Sequence, residues 1–169
     1  MRIHAKWKHS ILAVVLLAIA FFIVRAPKEI VSRVSGFTDE VRVRIERTPH
    51  AIIEGMVIPV ELATSSVAIV KGLSGRDALE ASKGMLFVFE KPDRYRFWMS
   101  GMRFPLDMIW IAHGKVVYIS ERVSEAFDPA NPIFYSPPTP VDYVLEVNAG
   151  FAESHSIRLG DSVIFRYTN

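Results

Sequence analysis

The sequence contains no cysteine. This absence excludes disulfide bonds, thiolate catalysis, iron–sulfur clusters and cysteine-ligated zinc sites, and it leaves the redox compartment open. The five histidines stand at positions 4, 9, 50, 113 and 155, without the spacing of a metal site. Phosphate-binding loops, dinucleotide fingerprints and nucleophile elbows are missing as well. We therefore expect neither a metal ion nor a cofactor.

A continuous stripe of basic residues is also missing. The chain has 20 lysine and arginine residues and 18 acidic residues. Three of the basic residues, Arg2, Lys6 and Lys8, lie within the first 24 residues, which contain no acid. The remainder therefore carries 17 basic and 18 acidic residues and is close to neutral. This balance argues against a nucleic-acid-binding groove.

The amino terminus has the composition of an export or anchoring signal. A basic head precedes an unbroken apolar run over residues 11–24. At ~1.5 Å per residue this run covers about 21 Å, which is shorter than the ~30 Å hydrocarbon core of a bilayer. We predict a signal peptide or amino-terminal membrane anchor over 1–26, a linker over 27–40, and a globular domain over 41–169. The domain would then lie on the periplasmic or extracellular side, tethered by an uncleaved anchor or secreted after cleavage.

Beyond the linker, short apolar runs separated by turn residues predict β-strands. His113-Gly114 suits a two-residue hairpin turn, and the proline-rich segment over 121–140 is long enough for a functional loop. The predicted fold class is a β-dominated α+β fold: one compact domain of about seven or eight mostly antiparallel strands with two or three short helices. Predicted strands cover 41–46, 52–62 with an interruption at Gly55, 85–89, 97–99, 108–112, 115–119, 143–147 and 161–167. Predicted helices cover 64–73 and 149–155, while 76–83 is a helical turn or an ordered loop. The first helix would be capped within 64–66 and would cover a face of the sheet with Val67 and Val70.

The centre of the sequence carries a family resemblance. Residues 84–87 (GMLF), 97–99 (FWM) and 105–107 (PLD) follow one another in a characteristic order and spacing. They resemble the central signature of the domain of unknown function 192 family. The resemblance extends over about residues 60–165.

Outer motifs add to this resemblance. Gly72-Leu73 followed by Arg76 is similar to the helix-end motif of that family, with Ser74 where the family usually has methionine. Residues 143–150 (YVLEVNAG) and then Gly160-Asp161 resemble its carboxy-terminal signature. The resemblance implies a small exported or membrane-tethered domain, common in bacteria and archaea, without an agreed reaction.

Polar side chains set within apolar strands are the candidate site residues. Glu146 and Asn148 lie two apart on one strand and therefore share a face, although Asn148 could instead cap the following helix. Asp107 shares a face with apolar residues, so it needs a partner or a raised pKa. Arg76 or Arg103 would be the natural partner in an internal ion pair.

Trp98 shares a face with Arg96 and Ser100, so its ring could line a groove instead of packing in the core. We predict a binding groove near the segment around Tyr135, which would cover it. The residues assigned to this groove are Arg76, Trp98, Asp107, Glu146 and Asn148.

Three functions are compatible with such a groove. The favoured one is a ligand-binding or accessory module of the cell envelope, with a glycan or peptide as ligand. The second is an envelope glycan hydrolase that uses Asp107 and Glu146 as its catalytic carboxylate pair. The third is a structural partner of another membrane protein. The sequence leaves enzymatic activity undecided and favours a binding module.

Overall fold

The domain is built on one mixed sheet of seven strands that curves into a half-barrel. A computed structural model describes residues 48–167; the predicted leader, linker and strand over 41–46 lie outside the described residues. No helix within that described range is long and apolar enough to cross a membrane. The strands are β1 (His50–Ile53), β2 (Met56–Ala63), β3 (Gly84–Asp93), β4 (Leu106–Ala112), β5 (Lys115–Val123), β6 (Val141–Asn148) and β7 (Val163–Arg166), and the helices are α1 (Ser66–Lys71) and α2 (Phe151–Ser154).

The strand order is β5-β4-β6-β3-β2-β1-β7. Five of the six neighbouring pairs are antiparallel, and only β2 and β3 run parallel. The two edge strands approach each other, because the Val116 amide donates to the Asp161 carbonyl at 3.0 Å and the Gly160 amide donates to the Val116 carbonyl at 2.8 Å. The predicted β-dominated fold with mostly antiparallel strands is confirmed.

Tight turns connect two of the antiparallel pairs. His113-Gly114 joins β4 to β5 with φ values of 51° and 69°, which confirms the predicted hairpin turn. Glu54-Gly55 joins β1 to β2 with φ values of 47° and 86°. Two successive positive φ angles give a turn whose twist matches that of the flanking strands.

Each face of the sheet carries its own hydrophobic core. Residues alternate between the faces along β6, so Leu145 and Val147 belong to one core while Val144 belongs to the other. The first, which we call the Leu145 core, is covered by α2. The second, which we call the Trp110 core, is covered by α1 and the segments that contain Phe97 and Tyr135. Because both faces are covered, all seven residues of β4 are buried.

Helix α1 has the predicted amino-terminal cap, but a different face of the helix packs on the sheet. The Ala68 amide donates to the Ser65 hydroxyl at 3.2 Å, which is the expected amino-terminal cap. Val67 and Val70, expected to pack on the sheet, are 77% and 74% exposed. A helix of six residues has fewer than two turns, and it is Ala68 and Ile69 that pack against the Trp110 core.

The prediction of a strand over 97–99 is wrong. Phe97 makes one isolated antiparallel bridge with Tyr135, with both N–H to carbonyl distances at 2.8 Å. Phe97 and Met99 of this run enter the Trp110 core, whereas Trp98 does not. The Phe97 ring lies edge-on to Phe87 and Trp110, with centroid distances of 4.9 and 5.3 Å.

Candidate functional site

A small cleft of about 190 Å³ opens beside the Trp110 core. Its floor is Glu146, of which only 5% is exposed. The buried side chains of Phe87 and Leu73 form part of its walls, together with Phe97. The exposed residues Val70, Lys71, Arg96 and Trp98 form its rim.

The carboxyl group of Glu146 has no partner in the protein as far as the structure describes it. Among residues 48–167 no side-chain hydrogen bond or ion pair involves Glu146, and no fully buried side-chain oxygen or nitrogen atom lacks a partner, so the carboxyl oxygens face the open cleft. Its cross-strand neighbours are Met85 on β3 and Met108 on β4, which offer no polar group. Burial raises the pKa of Glu146 to about 8, because the charged form is poorly solvated there.

Trp98 is held at the rim by the proline-rich segment. Its ring stacks on Phe134 at a centroid distance of 5.8 Å and lies edge-on to Phe127 at 6.1 Å. The Arg96 guanidinium carbon lies 4.0 Å from the centroid of the Phe134 ring. The indole remains 48% exposed. Tyr135, in the segment that was expected to cover the groove, packs against the Trp110 core.

Asp107 and Glu146 lie on opposite faces of the sheet. In the β4–β6 register, Asp107 is paired with Val147 while Met108 is paired with Glu146. Directly opposed residues of an antiparallel pair project from the same face, so Asp107 projects into the Leu145 core. The expected catalytic pair of carboxylates is therefore contradicted, because no single substrate group can contact both.

The buried carboxylate of Asp107 accepts three backbone hydrogen bonds. Its Oδ1 accepts from the Arg122 amide at 2.7 Å and the Gly150 amide at 3.0 Å, and its Oδ2 accepts from the Ala152 amide at 2.9 Å. The β4–β5 register shifts near Asp107, and Arg122 has a φ of 50°. Asp107 thus satisfies amides that the β5 irregularity and the start of α2 leave without backbone partners.

The expected ion pair between Asp107 and an arginine is wrong. Arg76 makes a two-pronged contact with Glu61, with nitrogen to oxygen distances of 2.7 and 2.8 Å. This guanidinium lowers the pKa of Glu61. Arg103 pairs with Asp77. Both ion pairs therefore involve the β2–β3 crossover, residues 64–83, which connects these two strands. Arg76 does not line the cleft.

Asn148 binds a loop. The alternative role considered from the sequence, a cap on the following helix, is wrong. Its Nδ2 donates to the carbonyls of Leu79 and Glu80 at 3.1 and 3.3 Å. These bonds fix the segment before β3 to the end of β6. Of the five predicted groove residues, the structure thus brings together only Trp98 and Glu146 at one cleft.

The β2–β3 crossover contributes to the cleft, which was not predicted from the sequence. Residues 69–74 line one side of it, and Met102 lines another part. Gly72 has a φ of 47°, and a β-carbon there would lie 3.2 Å from the Phe87 ring. Glycine at this position therefore permits the crossover to pack closely against Phe87. The Gly72-Leu73 motif was the only sign of this contact in the sequence. Within residues 48–167, no three histidine or acidic side chains are grouped to hold a metal ion.

Comparisons with known proteins agree with the motif resemblance. The family model DUF192, described as Uncharacterized ACR, matches residues 48–165. A protein of unknown function from Novosphingobium aromaticivorans DSM 12444 is 31% identical, over 68% of this chain and 83% of that one, with a TM-score of 0.61. A putative transcription regulator from Sinorhizobium meliloti 1021 is 30% identical, over 69% and 91%, with a TM-score of 0.61. No curated protein matches. The chain belongs to the DUF192 family.

Proposed function

We propose that this domain is a binding module that takes one small ligand in the cleft between Glu146 and Trp98. The observation that carries the proposal is the buried carboxyl of Glu146, which has no partner within the described residues. The carboxyl oxygens face the cleft, because no fully buried polar side-chain atom in the described range lacks a partner. A ligand that enters the cleft would supply the missing partner.

The walls of the cleft support the same function. An exposed indole beside the buried ring of Phe87 and the half-buried ring of Phe97 offers an apolar surface for a ligand. A few polar groups then set the orientation of the ligand. At about 190 Å³ the cleft is smaller than the ~300–1,000 Å³ typical of sites for drug-sized molecules. A cleft of this size holds one sugar ring or one amino-acid unit of the expected glycan and peptide ligands.

The binding function is favoured over glycan hydrolysis. Glycosidase chemistry needs two carboxyl groups on either side of one glycosidic bond. Glu146 is the only acidic residue that lines the cleft in the described range. A lone carboxyl group in an aromatic cleft is sufficient for binding but lacks its second catalytic partner.

We propose further that the module works at the cell envelope, attached through residues 11–24. The basic head and apolar run of residues 1–26 support this placement. The test is a fusion of residues 1–40 to an alkaline phosphatase that is active only after export. We expect phosphatase activity in whole cells and its loss when 11–24 are deleted. Equal activity of both fusions would contradict the proposal.

A ligand screen tests the binding function. We expect one class among monosaccharides, amino acids and dipeptides to raise the melting temperature of the full-length protein. A ligand at 100 times its Kd raises the free energy of unfolding by ~2.7 kcal/mol. Trp98→Ala should weaken binding by about threefold to tenfold, since aromatic contacts contribute ~0.5–1.5 kcal/mol. Tyr118→Ala, which removes an exposed ring outside the cleft, is the matched control and should bind like the wild type.

Two outcomes would contradict this function. If a ligand binds equally well to Trp98→Ala, Glu146→Gln and the wild type, the cleft is not its site. If no class of ligand shifts the melting temperature, the domain is not a small-molecule-binding module. The melting temperature of each variant without ligand shows whether the substitution has disturbed the fold.

A further inference from the structure

We propose that the ligand is a small zwitterion of the amino-acid type, with its ammonium group at Glu146 and its anionic group at Lys71 and Arg96. This inference rests on the proposed binding function and specifies its ligand. It follows from the way in which charge is distributed between the floor and the rim of the cleft.

The floor is suited to a cation. Glu146 is buried, lines the cleft, and meets no basic side chain in the described part of the chain. The aromatic residues Phe87, Phe97 and Trp98 line the same space. The faces of aromatic rings attract cations, and an ammonium group has three donors for a carboxylate. An aromatic cleft that ends in a carboxylate therefore complements an organic ammonium ion.

The rim is suited to an anion. Lys71 and Arg96 are the other two charged residues that line the cleft, and both are exposed. Neither makes a salt bridge with an acidic residue among residues 48–167. Arg96 instead lies over the Phe134 ring, which leaves its N–H groups available to a ligand.

Taken together, the three charged side chains select against simpler ions. A plain amine would meet two positive charges at the rim before it reached Glu146. A plain carboxylic acid would leave Glu146 without a partner at the floor. A zwitterion satisfies all three groups, and the small volume of the cleft restricts it to a single amino-acid unit.

The affinity for such a zwitterion depends on pH. The charged groups that line the cleft with Glu146 are Lys71 and Arg96, and its cross-strand neighbours Met85 and Met108 do not titrate. The pKa of Glu146 is about 8 in the free cleft, so most molecules hold a neutral carboxyl group at pH 7. An ammonium group binds the ionised form. The affinity should therefore rise by about tenfold per pH unit up to pH 8 and level off above it.

Calorimetric titration of the full-length protein at pH 6, 7 and 8 tests the inference. The probes are alanine and 4-aminobutyrate as zwitterions, ethylamine as an amine, propionate as an acid and glucose as a neutral sugar. We expect a zwitterion to bind at least tenfold more tightly than ethylamine or propionate. We also expect Glu146→Gln to bind at least tenfold more weakly than the wild type at pH 8 and to lose the pH dependence.

The double variant Lys71→Gln with Arg96→Gln isolates the rim. Both side chains are exposed, so their replacement leaves the cores intact. In this variant the zwitterion should lose its advantage over ethylamine. Lys83→Gln, at a surface cation that pairs with Glu80 and does not line the cleft, is the matched control and should retain the advantage.

The outcomes separate this inference from the proposed function. Binding of glucose without any zwitterion overturns the ligand class and leaves the binding module in place. Equal affinities for ethylamine and the zwitterions, or an affinity that falls as the pH rises, likewise overturn the inference alone. The absence of binding by every probe, here and in the wider screen of sugars and dipeptides, overturns both.

Discussion

Replacing Asp107 with alanine is expected to lower the free energy of unfolding by about 3 to 5 kcal/mol. The carboxylate is fully buried and accepts hydrogen bonds from the amides of Arg122, Gly150 and Ala152. Alanine leaves these three donors without an acceptor at the junction of β5 and α2. Each buried donor that loses its partner costs ~1–3 kcal/mol, so the loss is large for a single substitution.

Chemical denaturation of the purified protein measures this loss. The matched control is Asp128→Ala, because Asp128 also accepts a backbone hydrogen bond, from the Ala130 amide at 2.9 Å, but is exposed. Asp128→Ala should lower the free energy of unfolding by less than about 1 kcal/mol, because water can accept the hydrogen bond of the Ala130 amide in place of the carboxylate. If both substitutions cost the same, Asp107 does not hold these elements together.

The stability of the wild-type protein should depend on the ionisation of Glu146. The pKa of this carboxyl is about 8 in the folded protein, above its ordinary value of 4.5. Below pH 4.5 the group is neutral in both the folded and the unfolded chain. Above it, the unfolded chain releases the proton first, so the free energy of unfolding falls. The fall continues to about pH 8 and amounts to about 4 to 5 kcal/mol, at ~1.36 kcal/mol per pKa unit.

Glu146→Gln should remove this part of the pH dependence, because an amide does not ionise. Denaturation curves of both proteins at pH 5, 6, 7 and 8 measure it, and other titrating groups cancel in the difference between them. We expect the variant to gain stability relative to the wild type as the pH rises, with the largest gain at pH 8. Parallel pH profiles would show that the ionised carboxylate is well solvated, contrary to the burial described above.

Much of the fold follows from local patterns in the sequence. The hairpin at His113-Gly114, the cap at Ser65 and the alternation along β6 each depend on neighbouring residues only. The single bridge at Phe97 was not predictable, because an aromatic run that enters a core has the same composition as a short strand. The exposure of Val67 was not predictable either, because it depends on how the rest of the β2–β3 crossover orients α1.

Only part of the candidate site was predictable from the sequence, because residue spacing does not show which acidic side chain finds a partner. Asp107 and Glu146 give the same signal in the sequence, since each is an acidic residue within an apolar strand. Backbone amides satisfy Asp107, whereas the cross-strand neighbours of Glu146 are both methionines. The difference depends on the register of β4 against β6 and on the irregularity in β5. Those are tertiary features that residue spacing does not determine.

The pairing of β1 with β7 has a consequence for chain connectivity. His50 is paired with Arg166, so within residues 48–167 the first strand begins beside the end of the last one. A short peptide could join these two ends, and new termini could be opened in the exposed stretch 128–132. Such a circular permutation would retain every strand pair and the cleft. The pairing of the described strands therefore does not depend on which of them comes first along the chain.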